Sequence, residues 1–600
     1  MLLKTLDEVK AFAAEFDWSR TAFDTETPGL KWSELDIDGM SFANGDLSCY
    51  INLYRNKEKQ AILDFMWDRF MSIGTMIGQN LPFDLKVLLK VYGREKLDAL
   101  MYKLTLIDTY LADYLLDERN FHKLKGPLGI LDRHLHRQAM EYKGAASGGH
   151  GTKKFAEYAE ADAVNTLDAW NVMRPKLIAE GLESVFNLEC KFIPCVVEME
   201  SLGVWIDQKR LAELETKLDL EKLRLLAEIE AACPDFCPQK TLFGTAELEK
   251  RLNSPKVVFE YVTQVLGCSV ENADAEALSV HKDKSPFFEL ILEYRKVAKL
   301  LSTYVTPWWD LIDTDGRIRP SIKIVHSGRL SMANPNLENI PKLSSESENN
   351  IREAVAAPNG MAYLRIDYSQ QELRIAASNS GDKTMLDAFR QNIDVHMLVA
   401  NASRHLGIPL EHLKTDAPEF KAIKKKYDDV RTKFKAANFG LIYGRGAANL
   451  ALDWGCPVEE AQGILDGIFT MFPHLKKHIN AWHRHIQTYG LSYTMLGRKR
   501  RFKLPVGNHD LRAGFNHTVQ GGAADMAKIA GGLVWRYLRE HRASVRLALM
   551  IHDEYCFEGS LEEIMKHKAR IEEILCNAFP LKCPVTVDSC VVPSYGSKGD

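Results

Sequence analysis

The segment from residue 431 to 444 repeats charged and aromatic side chains at a helical spacing. Read as a helix, it places four side chains at successive i, i+4 positions along one slowly drifting face: Arg431, Lys435, Phe439 and Tyr443. Guanidinium and ammonium groups bind phosphate oxygens, and aromatic rings stack on bases. At 1.5 Å per residue the face is about 18 Å long. This spacing predicts a nucleoside triphosphate site; the alternative is a surface helix with solvated cations and two core rings.

A set of acids near the N-terminus has the residue types that bind hard metal ions. Asp24 and Glu26 point to the same side of a predicted strand, and Tyr158 and Asp162 share one face of a predicted helix. Asp84 is the fourth acid. Two Mg²⁺ or Mn²⁺ ions about 4 Å apart would clamp an in-line phosphodiester hydrolysis, with the tyrosine positioning the attacking water. The alternative is that Asp84 and Asp162 are acids at helix ends.

A second pair of acids is far apart along the chain. Asp367 follows a strand-like run, and Asp553 lies with His552 at the tip of a predicted strand, turn and strand. On adjacent strands the two aspartates would hold two metal ions, lowering the pKa of a primer 3′-OH and neutralising a departing pyrophosphate. A buried aspartate needs a partner, so the alternative for Asp367 is a salt bridge to Arg365 or Arg374.

The elements that must position these residues can be read from periodicity. Residues 1–180 alternate strand-like and helical runs, which is typical of an α/β domain. The predicted strands are 21–23, 48–53 and 75–78, and the predicted helices are 59–70, 83–91 and 155–173. A Gly-rich run at 144–151 predicts a loop within this domain.

The rest of the chain is longer and more varied. A continuous helical pattern runs from 185 to 232, and a second runs from 287 to 313. Residues 316–600 mix strand and helix patterns, with a polar break at 344–350. The sequence contains no internal repeat and no long low-complexity tract.

Composition bounds the class of protein. A chain of 600 residues is too long for one hydrophobic core, and 46% hydrophobic with 26% charged residues is ordinary for a globular protein. The sequence contains no 18-residue apolar run and no signal or transit pattern at its start. The eleven cysteines are scattered without a convincing zinc motif, which predicts reduced thiols. Although the net charge is −4, residues 421–435 carry seven basic and two acidic side chains, and 498–503 is also basic, as phosphate-backbone surfaces are.

Taken together, these motifs resemble the family A DNA polymerases, the bacterial DNA polymerase I family. Asp367 to Arg374 is similar to motif A of that family, the 431–444 helix to motif B, and Ile551 to Glu554 to motif C. The N-terminal set is similar to the DEDDy class of 3′–5′ exonucleases, residue for residue: Asp24, Glu26, Asp84, Tyr158 and Asp162. The compact arrangement looks like a phage-like replicative form.

The resemblance implies a multidomain fold of α/β and α+β parts. A ribonuclease-H-like 3′–5′ exonuclease domain over 1–184 would precede a right-hand polymerase over 185–600. We expect the thumb mostly over 185–320, the palm mostly over 321–380 and 505–600, and the fingers mostly over 381–504.

The resemblance also implies residue roles. Asp367, Tyr368 and Asp553 would bind metal at the polymerase site, with Glu554 in support. The residues expected to contact the nucleotide are Gln370, Glu372, His396, Arg431, Lys435, Phe439 and Tyr443. Lys435 would also protonate the leaving pyrophosphate. Glu372 would exclude a 2′-hydroxyl. DNA would meet Arg329, Arg512, Asn516, Gln520 and His552.

The implied cofactors are two Mg²⁺ or Mn²⁺ ions at the polymerase site and two divalent cations (Mg²⁺, Mn²⁺ or Zn²⁺) at the exonuclease site. The implied partners are primer-template DNA and deoxynucleoside triphosphates, with no membrane. We expect a monomer, with helicase, processivity factor and single-strand-binding protein as candidate replisome partners. The expected location is the cytoplasm of a bacterium or a phage-infected bacterium.

Some features depart from the family pattern. Gln371 stands where an apolar residue is usual, Phe439 lacks a hydroxyl that favours dideoxynucleotides, and we expect neither a 5′-nuclease nor a long thumb insertion. The rival interpretations are a single-subunit RNA polymerase, a nuclease whose C-terminal part only binds DNA, and a non-catalytic scaffold. Glu372 and the N-terminal acid set argue against the first. The pair Asp367 and Asp553, with the cationic face of the 431–444 helix, argues against the second, and the presence of two carboxylate clusters argues against the third.

Overall fold

The computed structural model describes residues 1–120, 122–138, 142, 149–237, 244–341, 349–404, 406–442, 444 and 446–597, without the side chains of residues 244, 245, 439, 441 and 442. Most of the predicted loop at 144–151 and of the polar break at 344–350 lies outside these residues. The chain forms two compact units. The first comprises Met1–Leu202, Ile322–Ser331 and Leu364–Cys590, and the second comprises Gly203–Ser321, Met332–Tyr363 and Val591–Asp600.

The first unit begins with a mixed sheet in the order β1-β4-β3-β2-β5-β6. Its strands are β1 (Leu2–Leu3), β2 (Arg20–Glu26), β3 (Gly39–Ala43), β4 (Ser48–Asn52), β5 (Thr75–Gly78) and β6 (Thr105–Asp108). Strands β2, β3 and β4 pair antiparallel, whereas β2, β5 and β6 pair parallel. The three strands predicted from alternation are therefore present.

Helices follow or precede these strands. They are α1 (Leu6–Glu15), α2 (Lys59–Phe70), α3 (Leu81–Tyr92), α4 (Arg94–Lys103), α5 (Thr109–Leu116), α6 (Lys153–Ala179) and α7 (Glu183–Leu202). The Thr152 hydroxyl caps α6 by accepting from Phe155 N, and the Asp108 carboxylate caps α5 by accepting from Tyr110 N. Such caps satisfy backbone N–H groups that have no partner within the helix.

The second unit is mostly helical. Its elements include β7 (Val204–Trp205), α8 (Gln208–Ala232), α9 (Gly244–Asn253), α10 (Pro255–Glu260), α11 (Ala275–Ser279), α12 (Pro286–Leu300), α13 (Thr306–Leu311) and β8 (Arg317–Ile318). The long helix predicted over 185–232 is interrupted. Gly203 has φ of +65° and ends α7, because glycine adopts this left-handed conformation without a Cβ clash.

The remaining strands include a second sheet, which has four strands in the order β14-β15-β11-β16. They are β9 (Ser321–Ile324), β10 (Leu330–Ala333), β11 (Ala362–Tyr368), β12 (Leu491–Tyr493), β13 (Lys499–Arg501), β14 (Arg546–Ile551), β15 (Glu554–Gly559) and β16 (Val587–Val592). Strands β14 and β15 form an antiparallel hairpin, as the sequence pattern predicts. Strand β11 ends at Tyr368 and therefore includes Asp367, which was predicted to follow the strand.

Ten further helices belong to the same part of the chain, counted over the residues that the structure describes. They are α14 (Gln371–Ser380), α15 (Lys383–Arg390), α16 (Val395–Arg404), α17 (Phe420–Lys426), α18 (Asp428–Ile442), α19 (Ala447–Trp454), α20 (Val458–Met471), α21 (Pro473–Tyr489), α22 (Asn508–Glu540) and α23 (Leu561–Asn577). Short 3₁₀ or π turns occupy Trp32–Glu34, Leu131–Leu135, Tyr261–Val265, Lys282–Lys284, Leu301–Val305, Leu337–Asn339, Ile351–Ala354 and Leu410–Leu413.

Helix α7 lies inside the first unit between its two sheets. It packs against α3, α5 and β6 from the N-terminal part and against α22 and β14 from the C-terminal part. Helix α22 has 33 residues and is about 50 Å long at 1.5 Å per residue. The predicted fold class, with α/β and α+β parts, is confirmed, whereas the domain boundaries remain predictions.

Candidate active sites

The N-terminal acids meet at one end of β2. Oxygen atoms of Asp24, Glu26 and Asp162 all lie within 4.8 Å of one another. The first two are on the same face of β2, and Asp162 is on α6, which packs against β2. The i, i+2 and i, i+4 spacings therefore position the carboxylates as the sequence indicates.

Asp84 is held at the first turn of α3. Its Oδ1 accepts hydrogen bonds from the backbone N of Thr25 (2.9 Å) and from the Thr25 hydroxyl (2.6 Å). Thr25 lies between Asp24 and Glu26, so these bonds join the fourth acid to the strand that carries the first two. The sequence contained no signal for this role of Thr25.

Burial raises the pKa values of the four acids, and neighbouring carboxylates raise those of Asp24, Glu26 and Asp84 further. Burial raises the pKa of Glu26 to about 8 and that of Asp84 to about 7. The pKa of Asp24 rises well above its ordinary value because of burial and the neighbouring Asp84, Asp162 and Glu26 charges. Burial also raises the pKa of Asp162, although Lys125 opposes the increase. This donor set fits divalent cations, which bind carboxylate oxygens and supply the positive charge that repelling acids need.

Lys125 is a second residue in this region whose role the sequence did not indicate. Its Nζ lies 2.6 Å from Asp162 Oδ2 and 3.5 Å from the centroid of the Tyr158 ring. Both contacts stabilise an ammonium group, one as an ion pair and one as a cation–π interaction. The only sequence signal was a pair of lysines before a Gly-Pro turn, Lys123 to Pro127, which is too common to indicate a site.

The second acid pair lies on neighbouring strands. Asp553 is in the two-residue turn between β14 and β15, where His552 has φ of +56°. Strand β15 is hydrogen-bonded to β11, which carries Asp367. Arg365 of β11 contacts Glu554 of β15, with 2.5 Å between Arg365 Nε and Glu554 Oε1. The part of β11 near Asp367 therefore lies beside the start of β15. The predicted strand, turn and strand is therefore present and is adjacent to the motif A strand.

The surroundings of these acids differ. Asp367 is exposed, whereas Asp553 is half-buried and burial raises its pKa, opposed by the positive charges of Arg329 and His552. Arg365, one predicted partner of Asp367, forms an ion pair with Glu554. Arg374, the other, donates to the Ser369 carbonyl (2.8 Å), the Pro584 carbonyl (2.5 Å) and the Thr586 hydroxyl (2.9 Å).

Tyr368 was predicted to bind metal beside Asp367. Its hydroxyl donates a hydrogen bond to the carbonyl of Leu575 at 3.0 Å, and its ring contacts Tyr555 at 6.1 Å between centroids. The phenol therefore has a structural role in packing the sheet against α23, and metal binding by Tyr368 remains a prediction.

The predicted phosphate-binding helix is α18. Arg431 forms an ion pair with Asp394 at 2.7 Å, and Lys435 is exposed. His396 on α16 is 1% exposed, and its Nδ1 accepts a hydrogen bond from Asn438 Nδ2 of α18 at 3.1 Å. Burial lowers the pKa of His396 to about 4, so this imidazole is neutral at pH 7. Tyr443 and the side chain of Phe439 lie outside the described residues.

Three motif A residues surround the start of α14. Glu372 is 7% exposed and forms an ion pair with Arg329 at 2.6 Å. Gln370 has φ of +53° and precedes the helix. Gln371, the unusual residue at an apolar position, is buried and donates to the Ala523 carbonyl of α22 at 3.3 Å. Its amide is thus used to join α14 to α22.

The remaining predicted DNA residues lie on α22. Arg512, Asn516 and Gln520 recur every four residues and therefore share one face. Gly444, just beyond α18, has φ of +68°, and a Cβ on it would be 2.5 Å from Arg512 Cγ. This close approach requires glycine and brings the end of α18 to the exposed face of α22.

Comparison with known proteins identifies the family. The family described as DNA polymerase family A matches residues 237–597, which include β11, α18, α22 and the β14–β15 hairpin. The chain belongs to DNA polymerase family A. The match to DNA polymerase I of Borreliella burgdorferi is 27% identical over 603 residues, and covers 96% of this chain and 62% of the relative.

Two further relatives are DNA polymerase I of Pseudomonas aeruginosa and of Helicobacter pylori. The first is 28% identical and covers 95% of this chain and 62% of the relative. The second is 31% identical over 420 residues and covers 68% of this chain and 43% of the relative. The chain thus spans less than two thirds of the length of these family A relatives.

A solved structure shares the fold along nearly the whole chain. The POL domain of Pol1 from M. smegmatis, in complex with DNA primer-template and dNTP, superimposes with a TM-score of 0.81 at 23% identity, covering 99% of each chain. Among the described residues, no helix combines the length and apolar character needed to cross a bilayer.

Proposed function

We propose that this protein is a DNA-directed DNA polymerase that adds deoxynucleotides to a primer 3′-OH and removes them with a 3′–5′ exonuclease. Membership of DNA polymerase family A supports the first activity. The observation that carries the proposal is the pairing of β11 with β15, since this puts the Asp367 strand beside the turn that contains Asp553.

At the polymerase site, Asp367 and Asp553 would hold two divalent cations, Mg²⁺ or Mn²⁺. When bound, such ions activate the attacking hydroxyl and neutralise charge on the phosphates. Lys435 supplies a proton to the departing pyrophosphate, and Arg431 binds phosphate oxygens through its guanidinium. Its ion pair with Asp394 holds the Arg431 side chain in place before the nucleotide arrives. Neutral His396 then acts as a hydrogen-bond partner instead of a third cation.

Glu372 selects the sugar. Its carboxylate is buried and is fixed by Arg329, so it cannot move away from a 2′-hydroxyl at low cost. A hydroxyl placed there would meet a rigid, desolvated group. This role predicts deoxynucleotide selection and disfavours the RNA polymerase alternative. Phe439 is proposed to pack on the sugar and base, and Tyr443 to contact the template at the insertion site.

At the N-terminal cluster, Asp24, Glu26, Asp84 and Asp162 would hold two divalent cations (Mg²⁺, Mn²⁺ or Zn²⁺). When bound, these ions supply the activated water and stabilise the departing 3′-oxygen. Tyr158 orients the water through its hydroxyl. Burial raises the pKa of Tyr158, so the phenol remains protonated and can donate at neutral pH.

The two activities can be separated by paired variants. Asp553→Ala is expected to abolish primer extension, with at least a thousandfold loss, and to leave digestion of single-stranded DNA largely intact. Asp24→Ala/Glu26→Ala is expected to do the reverse. Extension and digestion are measured with one 5′-labelled primer in Mg²⁺, with and without deoxynucleotides, after circular dichroism has shown that each variant is folded. Loss of both activities in a folded Asp553→Ala protein would contradict two separate sites.

The remaining proposals concern partners and location. Primer-template DNA would lie along Arg512, Asn516 and Gln520, with Arg329 and His552 at the primer end. The protein would act as a monomer in the cytoplasm of a bacterial or phage-infected cell, with helicase, processivity factor and single-strand-binding protein as candidate partners. Light scattering with and without primer-template tests the stoichiometry.

A further inference from the structure

A cavity of about 630 Å³ lies beside the N-terminal carboxylate cluster. One side is formed by three residues of the cluster: Asp24, Tyr158 and Asp162. The other side is formed by Gln79 and by the segment from Lys123 to Gly129. We call residues 122–134 the lysine loop. The cavity therefore has an acidic side and a basic side.

Two lysines, Lys123 and Lys125, supply the positive charge of the basic side. Lys125 is half-buried, and its ammonium group lies between the Asp162 carboxylate and the Tyr158 ring. Lys123 is exposed. A substrate phosphate entering from the lysine side would meet ammonium donors, whereas the acids alone would repel it.

One buried carboxylate fixes both ends of the lysine loop. Asp113 of α5 is fully buried. Its Oδ2 lies 2.6 Å from His122 Nδ1 and 2.5 Å from Arg133 Nη2, and its Oδ1 lies 2.8 Å from His134 Nε2. Burial alone would raise the pKa of Asp113, but these hydrogen bonds outweigh burial and hold the pKa well below its usual range.

The lysine loop is also closed on itself. Ile130 N donates to the Lys123 carbonyl at 2.8 Å, and Leu131 N donates to the Leu124 carbonyl at 3.0 Å. Arg133 Nε donates to the Leu128 carbonyl at 2.8 Å. Arg133, which contacts Asp113, thus also binds the middle of the loop, so the position of Lys125 depends on Asp113.

We propose that the lysine loop binds the phosphates of a single-stranded 3′ end, that Lys125 contacts one of them, and that Asp113 is the positioning residue that fixes the loop. This inference rests on the proposed exonuclease function. It adds a phosphate-binding element to the carboxylates, and it gives a functional reason for the buried ion cluster around Asp113, which itself touches no substrate.

The first test is the salt dependence of digestion. In a complex with single-stranded DNA, each phosphate that a cationic side chain neutralises contributes about 0.7 to the slope of log affinity against log salt. Lys125→Ala is expected to raise the KM for a 5′-labelled dT15 about tenfold and to lower this slope by about 0.7, with primer extension unchanged. Lys125→Arg should restore most of both values. Lys153→Ala is the matched control, because Lys153 is 87% exposed at the start of α6 and its ion pair with Glu157 is long, at 4.0 Å.

The second test addresses the positioning residue. Asp113→Asn should reproduce the higher KM and the lower slope, because the loop is released although both lysines remain. If Asp113→Asn does not fold, His134→Gln removes one contact to the loop and is expected to raise KM less. An unchanged slope and KM in folded Lys125→Ala would overturn the proposal, as would an Asp113→Asn protein with wild-type KM.

The outcome can be separated from failure of the exonuclease itself. If wild-type protein and Asp24→Ala/Glu26→Ala digest dT15 at the same rate, the proposed exonuclease is wrong. Fluorescence anisotropy of labelled dT6 in EDTA then still tests the lysine loop. A salt slope lower for Lys125→Ala than for Lys153→Ala would support phosphate binding, and equal slopes would refute it.

Discussion

Replacing Glu26 with glutamine should stabilise the metal-free protein, and increasingly so as pH rises. Burial raises the pKa of Glu26 from 4.5 to about 8. The folded protein therefore keeps a proton that the unfolded chain loses above about pH 4.5. The contribution of Glu26 to the free energy of unfolding consequently falls as pH rises from about 4.5 to about 8, and it is level above this range.

The size of the effect follows from this shift. Each pKa unit corresponds to about 1.4 kcal/mol, so the two and a half units between 4.5 and pH 7 correspond to about 3 kcal/mol. Glu26→Gln does not titrate and lacks this loss. The difference in unfolding free energy between Glu26→Gln and wild type should therefore grow by about 3 kcal/mol between pH 4.5 and 7.

The assay is urea unfolding in EDTA at pH 4.5, 5, 6, 7 and 8, repeated with Mg²⁺. Wild-type protein should gain stability from Mg²⁺, and more at high pH, because ligand carboxylates must be deprotonated to bind a metal. Glu26→Gln should lose most of this gain. Glu157→Gln is the control, because the same change is then made at an exposed position of α6. A difference that stays flat from pH 5 to 8, or equal Mg²⁺ stabilisation of both proteins, would refute the reasoning.

Two further predictions concern other parts of the chain. Lys435→Ala should lower kcat/KM for deoxynucleotide tenfold or more, since a charge-assisted hydrogen bond contributes about 1.5–3 kcal/mol, while gel-shift affinity for primer-template stays the same. Lys433→Ala, at an exposed position on the same helix, is the control. Glu189→Gln should lower the free energy of unfolding by about 3 kcal/mol, because Glu189 is 4% exposed and accepts from Lys528 at 2.7 and 2.8 Å and pairs with Arg498. A urea midpoint within error of wild type would contradict the second expectation.

The parts predicted best from sequence were those set by local spacing. Helix α2 begins and ends at the predicted residues, and the i, i+2 pair on β2 and the i, i+4 pair on α6 face the same cluster. Backbone periodicity determines these relations, so one segment is enough to read them. The hairpin around Asp553 was also readable, because its polar turn separates two apolar runs.

Contacts between distant segments were not readable. Lys125 reaches the cluster because Asp113 holds the lysine loop, and no local pattern shows that contact. The same is true of Arg431, whose partner Asp394 is 37 residues away, and of Arg365 with Glu554, 189 residues apart. The predicted 185–232 helix is broken at Gly203, and the helical pattern of the surrounding residues does not show that this glycine has a positive φ. Tertiary packing determines which distant side chains become partners, and no short segment of the sequence shows this packing.

Helix α7 fixes the distance between the N-terminal cluster and the β11–β15 pair. It is packed on both sides, and Glu189 within it shares buried charges with Arg498, Asp525 and Lys528. Separating these ions would leave uncompensated charges in the interior, at a cost of about 3–5 kcal/mol. The N-terminal cluster and the β11–β15 pair therefore remain at a constant separation. Under the proposed function, a primer end that moves from one site to the other must unpair enough nucleotides to cover this fixed distance. The number of unpaired nucleotides needed is then a constant of the protein, measurable with a ladder of increasingly mismatched primers.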